Sequence, residues 1–328
     1  MLFRSYRTNA QSRLLEEAFL HANMPVKLVG AQRFYGRREV KDLIAYLRLV
    51  HNPNDEVSLT RVINVPPRAI GEKTIVTALT YAQRVDLKLG ELLLDLGKGT
   101  NSAHAEVFPA RAMIALANFG GLLVSWRAAR ADLPPLALMD RIISDVKYQQ
   151  YLDDGTEEGK DRWDNVMELR RLAGEYKQRT LENFLEDVAL VSDQDTMEAS
   201  ASVPTLLTLH AAKGLEFPIV FIVGLNDGTL PHIRSFEEAE AMQEERRLFY
   251  VGITRARNRL YLVIQLNRSQ YGHAEPAEES RFLEDIPTPL LDAGHPSRSG
   301  RRVRAGTSSR ANHWEGAATA HARLLQPR

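Results

Sequence analysis

Hydrophobic and polar positions along the chain fall into three blocks of different period. In the first, "QSRLLEEAFLHAN" places Leu14, Leu15, Ala18, Phe19 and Ala22 on one stripe, the spacing of a helix. "VKLVG" follows as a short apolar run, so residues 1–30 read as strand, helix, strand. Residues 37–50, "RREVKDLIAYLRLV", put Val40, Leu43, Ile44, Leu47 and Val50 on one face and predict an amphipathic helix. Pro53 in "NPND" ends it, because proline lacks the amide a helix interior needs.

From about residue 55 to 200 the period stays helical. Helices are predicted over 59–63, 75–84, 110–129, 137–143, 163–176 and 181–190. Turns fall at "NVPPRAIGEKT", "LGKGTNS", "DLPP" and "DDGTEEGK", and "SDQDTMEASASVP" reads as a polar linker. At Pro204 the pattern changes to strand, loop, strand, acidic helix, strand: "TLLTL", "PIVFIVGL", "EEAEAMQEERRLFYVGIT", "RLYLVIQL". The run Pro218–Val223 is apolar enough to predict a strand buried on both faces. Alternating strands and helices predict a parallel α/β sheet. The expected architecture is an α/β domain built from 1–30 and 201–287, an all-helical domain of 31–200 inserted into it, and a basic, disordered tail over 288–328.

Composition narrows the classes further. A chain of 328 residues, 44% hydrophobic and 26% charged, has the balance of a globular protein of about two domains. No apolar run is expected to approach the roughly 20 residues of a membrane helix, and no signal-peptide core follows the basic start. Cysteine is absent, which excludes disulfides and thiolate-held metals, and the nine histidines show no ligand spacing, so no metal site is expected. A cytoplasmic setting with no membrane partner is expected. The net charge of zero argues weakly against a uniformly basic surface but leaves a local binding groove open.

Chemistry concentrates between two of the predicted strands, in "TLHAAKGLEF". In parallel α/β sheets ligands gather at the carboxyl ends of strands, where this loop begins. Gly214 lets backbone approach a ligand, Lys213 is suited to phosphate, Glu216 to ribose hydroxyls and His210 to a nucleic-acid backbone. The plain alternative is an exposed loop pair with a satisfied histidine. A second constellation, "EERRLFYVGITRARNRLYLVI", sets Glu244, Glu245, Arg246, Arg247, Arg255 and Arg257 around an apolar helix. Arg255 falls at that helix's carboxyl end, where a permanently charged, planar guanidinium can stabilise phosphoryl-transfer charge. Read alone, "EERR" is a surface charge run.

Together these stretches resemble motifs of the UvrD/Rep/PcrA-type superfamily I DNA helicases: "TLHAAKGLEFPIVFIVGLNDGTLPH" resembles motif V and "EERRLFYVGITRAR" motif VI. "YRTNAQSR" resembles motif IVa, "FYGRREVKDLIAYLRL" and "INVPPRAIGEKT" the start of the helical insertion, and "SRFLEDIP" the domain end, so the resemblance covers about residues 1–287 in order. It implies a RecA-like P-loop-NTPase-type motor domain, split and incomplete, with a large inserted helical domain. It implies an ATP-dependent 3′-to-5′ DNA helicase, with DNA repair as its commonest setting. Arg255 would then meet the ATP γ-phosphate, Glu216 the ribose, and Gly214 would permit the close approach. Thr208 and His210 would sit between nucleotide and single-stranded DNA, and Asn9, His232 and Tyr271 would contact that DNA. A tyrosine can stack on any base, although core packing is the alternative for Tyr271. "RAIGEKT" matches a turn that grips duplex backbone through exposed amides, here at Ile70 and Gly71. Ala69 stands where that turn has a glycine, which puts strain there if φ is positive.

The resemblance also implies ATP with Mg²⁺, yet no "GxxxxGK[ST]" loop is present. "LGKGT" at 96–100 lacks the leading glycine and reads as a loop between helices. The expectation is therefore the C-terminal half of a helicase, by gene fragment, split gene or truncation, with Mg²⁺ ligands outside the chain and no autonomous ATPase. Its expected partners are single-stranded DNA, a single-strand/duplex junction, a separate chain carrying the first motor domain, and a protein bound by the tail. The alternative is a non-catalytic DNA-binding or adaptor protein derived from a helicase, using the helical insert and the tail "SRSGRRVRAG".

Overall fold

The computed structural model describes residues 2–30, 32–194, 203–270, 273–293 and 320–325. In chain order the strands are β1 (Leu2–Tyr6), β2 (Lys27–Leu28), β3 (Thr205–Thr208), β4 (Phe217–Val223), β5 (Ala256–Gln265), β6 (Asn267–Gln270), β7 (His273–Pro276), β8 (Asp292–Ala293) and β9 (Ala320–Leu325). The α-helices are α1 (Ser12–His21), α2 (Arg38–His51), α3 (Glu56–Val62), α4 (Glu72–Arg84), α5 (Leu89–Leu96), α6 (Ala110–Ala129), α7 (Pro135–Asp145), α8 (Tyr148–Leu152), α9 (Glu157–Ala173), α10 (Leu181–Gln194) and α11 (Ala239–Ile253). The chain divides into two compact units, residues 1–32 with 197–328, and residues 33–196.

The first unit is α/β. Its sheet has the order β2-β3-β1-β4-β5-β9-β8, and β2, β3, β1, β4 and β5 run parallel. The register sets Phe3 beside Thr205 and Val220, and Tyr6 beside Thr208. A core of Leu207, Leu209, Val220, Ile222, Leu260 and Leu262 packs under α11 through Leu248 and Phe249. β4 departs from the expected strand buried on both faces. Val220 and Ile222 are buried, but Ile219, Phe221 and Val223, which alternate with them, are only half-buried. Phe221 stacks on Tyr261 of β5 with ring centroids 4.4 Å apart, so this face is covered by its neighbour strand's side chains. Pro218 lies where the β4–β5 register shifts, a position that tolerates its missing amide.

The expectation of a structureless tail after 288 fails at residues 320–325, which form β9 antiparallel to β5, with β8 beside it. Residues 294–319 lie outside the described residues, as does Tyr271.

The second unit is helical throughout its described residues. α2 runs through its centre, with Val40, Leu43, Leu47 and Val50 buried, and buried polar groups on the same helix are paired. Asn165 of α9 links Glu39 to Arg37 at the N-cap of α2, accepting from Arg37 Nη1 at 2.7 Å and donating to Glu39 Oε1 at 2.6 Å. Asp42 accepts from the Tyr148 hydroxyl at 2.9 Å and pairs with Arg61 at 2.7 Å. Caps match the sequence: Asp55 accepts from Ser58 N at the start of α3, and Thr156 from Gly159 N at the start of α9.

α5 and α8 have no counterpart among the expected helices. α5 packs on α6 through glycine: a Cβ on Gly120 would overlap the Leu93 carbonyl, and one on Gly97 would come within 2.6 Å of Gly120 C. That close approach accounts for "LGKG" without a phosphate. α6 is long and apolar enough to cross a membrane by length and composition, which corrects the expectation that no segment is. Its Leu116, Phe119, Leu123 and Trp126 are buried inside this helical unit, as in a core helix.

Candidate functional site

Parallel strands give the first unit's sheet two chemically distinct edges, and the singled-out residues divide between them. β1, β3 and β4 end at one edge. The loop after β1 carries Asn9, the end of β3 carries Thr208 and then His210, and the loop after β4 carries His232. The loop 209–216 then crosses to the opposite edge, where β4 and β5 begin side by side with Phe217 opposite Ala256. Gly214, Glu216, Arg255 and Arg257 gather there. Thr208 and His210 therefore lie at the carboxyl edge, where the loop begins, and Gly214 and Glu216 toward the amino edge, where it ends. The reason is topological, since consecutive parallel strands force the connection to traverse the sheet.

The crossing loop is built from both ends. Leu209 N donates to Tyr6 O at 2.9 Å, and the Thr208 hydroxyl accepts from Ala211 N at 3.2 Å. Ala212 N donates to Thr208 O at 3.1 Å, and buried Leu209 and Ala212 anchor the turn while His210 and Lys213 stay exposed. Gly214 takes φ 84°, and a Cβ there would meet nothing of the chain itself within 4 Å, so within the protein its glycine is needed for backbone conformation.

At the amino edge, Arg255 follows α11 directly. Its Nε donates to Val251 O at 3.0 Å, its Nη1 to Leu215 O at 3.0 Å and its Nη2 to the Thr254 hydroxyl at 3.0 Å. Phe217 N donates back to Arg255 O at 2.9 Å. Arg257 Nε donates to Glu216 Oε2 at 2.9 Å, and both side chains are exposed. One carboxylate and two guanidiniums thus lie on the loop ends of two adjacent strands, an arrangement that leaves net positive charge for an anion.

At the carboxyl edge the loops are tied to one another. Gln11 Oε1 accepts from Arg7 N at 2.9 Å and Thr8 N at 3.0 Å, and its amide abuts Gly224, where a Cβ would lie 2.5 Å from Gln11 Nε2. Buried Glu245, on α11, takes Arg7 Nε at 2.8 Å on one oxygen and His232 N at 3.0 Å on the other. The His232 ring accepts from Arg234 N at 3.3 Å.

The "RAIG" turn lies in the helical unit. Arg68 fills it from inside, donating to Val62 O and Val65 O, each at 3.0 Å, and to the Tyr46 hydroxyl at 2.6 Å. Ala69 adopts φ 59°, the left-handed conformation a glycine accepts more easily. Ile70 is 1% exposed and its N–H donates to Asn64 Oδ1 at 3.3 Å, so it serves as a core residue and not as the exposed amide expected of it. Gly71 is exposed at the N-cap of α4.

These features meet a family model for the UvrD-like helicase C-terminal domain, which matches residues 5–110 and 125–267. The chain belongs to that family. It is 38% identical over 296 residues to the ATP-dependent DNA helicase PcrA of Staphylococcus aureus, covering 88% of this chain and 40% of the relative. It is 39% identical over 307 residues to the ATP-dependent DNA helicase UvrD1 of Mycobacterium tuberculosis, covering 88% of this chain and 39% of the relative. The chain thus spans about two fifths of the length of these UvrD-like relatives.

Two residues of this UvrD-like unit escaped the sequence reading in their true setting. Glu245 reads there as part of a charge run, yet Glu245, Leu248, Phe249 and Gly252 recur at helical spacing and all are buried. Gly252 lets α11 sit on the sheet, since a Cβ there would lie 2.5 Å from Leu209 Cδ2 and 3.0 Å from Ile222 Cδ1. The signal for both was a polar or small residue placed on an apolar helical face.

Proposed function

We propose that this chain supplies one wall of an ATP site and part of a single-stranded-DNA channel in an ATP-dependent 3′-to-5′ DNA helicase. By this reading residues 1–30 and 201–287 form a RecA-like motor domain, residues 31–200 are a helical domain inserted into it, and a first motor domain, on this or a separate chain, brings the phosphate loop. The observation that carries the reading is Arg255 bonded to the Leu215 carbonyl beside Glu216, at the edge opposite Thr208 and His210. Arg255 then stabilises charge on the γ-phosphate, Glu216 receives the ribose hydroxyls and Gly214 permits the close approach of backbone and nucleotide. Thr208, His210, Asn9 and His232 meet the DNA strand, and Gly71 meets the duplex side of a junction. The printed names of the relatives, both ATP-dependent DNA helicases, support the activity class.

The residues present do not fit a resident Mg²⁺. Glu216 is the carboxylate at the amino edge and is engaged by Arg257, and among the described residues no group of three or more His, Cys, Asp or Glu is placed to hold a metal. A cytoplasmic setting and a protein partner for the tail belong to the same proposal.

The test is a titration of labelled oligo(dT) with the purified chain, paired with an ATP turnover assay. Binding that weakens as salt rises, without turnover, is the expected result. Salt-indifferent or absent DNA binding overturns the channel assignment, and DNA-stimulated turnover by this chain alone, abolished by Arg255→Ala, overturns the division of the ATP site between two domains.

A further inference from the structure

We infer that Glu245 is a positioning residue for the DNA-facing edge. One buried carboxylate fixes the loop that carries Asn9 and the backbone of His232 against α11, the helix that leads to Arg255. The inference rests on the reading of this edge as a single-strand channel.

Glu245 is 5% exposed, and both its oxygens are engaged by different elements. Oε1 takes Arg7 Nε at 2.8 Å and Arg7 Nη2 at 2.6 Å. Arg7 is the first residue after β1 and opens the loop that holds Asn9. Oε2 accepts from His232 N at 3.0 Å, in the loop after β4. A carboxylate in this setting makes charge-assisted bonds that are short and directional, and it resists leaving either partner because the remaining charge would be buried without a counter-ion. The helix that carries it is itself fixed, through Gly252 on Leu209 and Ile222, and Leu209 N is bonded to Tyr6 O, next to Arg7. Arg255 lies roughly 15 Å further along, at 1.5 Å per residue. Glu245 therefore sets where two DNA-facing loops stand relative to the helix that delivers the arginine to the opposite edge. Groups that bind a ligand from loops must be held by such supports to keep their geometry.

The experiment uses the full chain. Glu245→Gln keeps the size and one acceptor but loses the charge, Arg7→Gln removes the partner, and Glu245→Asp restores the charge. Each is titrated with labelled oligo(dT) across a salt series, and amide exchange at His232 is followed by hydrogen–deuterium exchange. Glu245→Gln and Arg7→Gln are each expected to weaken binding about tenfold, the scale of one charged hydrogen bond. The double variant is expected to lose no more than either single one, Glu245→Asp to recover part of the loss, and His232 to exchange faster in Glu245→Gln. The salt slope stays that of the wild type, whereas a direct phosphate contact by Arg7 would lower it by about one. Wild-type affinity in both single variants, additive losses, or a reduced slope in Arg7→Gln overturns the inference. If Glu245→Gln does not fold, Arg7→Gln and its salt slope decide alone. If the wild-type chain binds no DNA, the proposed function fails, and exchange at His232 still reports whether Glu245 holds that loop.

Discussion

Glu216 and Arg257 face each other across the beginnings of two adjacent strands, with Arg257 Nε 2.9 Å from Glu216 Oε2. The carboxylate proposed for ribose is thus already held by a guanidinium from β5, and the neighbouring Arg255 is held by the Leu215 carbonyl. Both side chains of the pair are more than half exposed, at 63% and 51%, so the pair adds little to stability.

Arg257→Ala should accordingly leave the thermal midpoint close to that of the wild type, with a stability change below about 1 kcal/mol. Its proposed effect is on the nucleotide, through Glu216. In a complete helicase assembly, Glu216→Gln is expected to raise KM for ATP with little change in kcat, because ribose binding is made equally in ground and transition states. Arg255→Ala is expected to lower kcat instead. Steady-state kinetics of the two variants separate the roles, and equal effects on kcat would refute the assignment of Glu216 to ribose.

Gly252 gives a stability prediction that also reaches the site. Alanine there would press a Cβ against Leu209 and Ile222, at 2.5 and 3.0 Å. Overpacking of this kind costs about 1–3 kcal/mol, and alanine's better helix propensity returns about 0.5–1 kcal/mol of it. Chemical denaturation of Gly252→Ala should show the net loss. Unchanged stability would mean that the Leu209 and Ile222 side chains shift to admit the Cβ at a cost no larger than that gain.

Much of this architecture was legible before any coordinates. Period marks α2 over 37–50 against the observed Arg38–His51, because its apolar face is strong. The range 110–129 coincides with the observed bounds of α6, whose apolar residues spread round the helix and which is followed by "DLPP". α5 was missed although Leu89, Leu92, Leu93 and Leu96 recur at helical spacing and are buried, because eight residues closed by "LGKG" are a short window to read against the turn signal beside them. β4 was overestimated because an apolar run does not reveal which of its residues will be covered by a neighbouring ring. At the site, the loop 209–216 was visible from its residue types. Its crossing from one sheet edge to the other follows from the parallel sheet the pattern predicts, but the place of β1 between β3 and β4, which sets Asn9 beside Thr208, is a long-range fact that the pattern does not carry. Glu245 was hidden by its neighbours Glu244, Arg246 and Arg247, which are exposed.

Ala69 and Gly71 divide the "RAIG" turn between strain and access. Ala69 sits at φ 59°, where an L-residue loses about 1–2 kcal/mol relative to the right-handed region. Ala69→Gly should therefore stabilise the helical unit by up to about 1 kcal/mol, part of the relief being offset by glycine's greater freedom when unfolded. Gly71 has φ −79°, and a Cβ there meets nothing within 4 Å. Gly71→Ala should leave the melting temperature unchanged while weakening binding to a junction substrate through loss of close backbone approach. A junction affinity equal to that of the wild type would remove Gly71 from the duplex contact.

Tyr46 makes the helical unit sensitive to alkali. Burial raises its phenol to about 12, against lowering by the nearby Arg68 guanidinium. Its hydroxyl donates to the Val65 carbonyl and accepts from Arg68 Nη2 at 2.6 Å, so the protonated form is the one the fold holds. The unfolded chain releases this proton near 10, the folded chain near 12. The contribution is therefore whole below pH 10 and is lost as pH rises toward 12. Tyr148 and Tyr176 are raised as well, each first by burial, and they steepen the same fall. Tyr46→Phe should be less stable than the wild type at neutral pH, because Arg68 loses its hydroxyl partner inside the turn. Above pH 10 its stability should fall less steeply, by one titrating tyrosine of the three. Urea midpoints at pH 8 and above pH 10 read both effects, and parallel pH profiles for the two proteins would show that Tyr46 ionises alike in folded and unfolded chains.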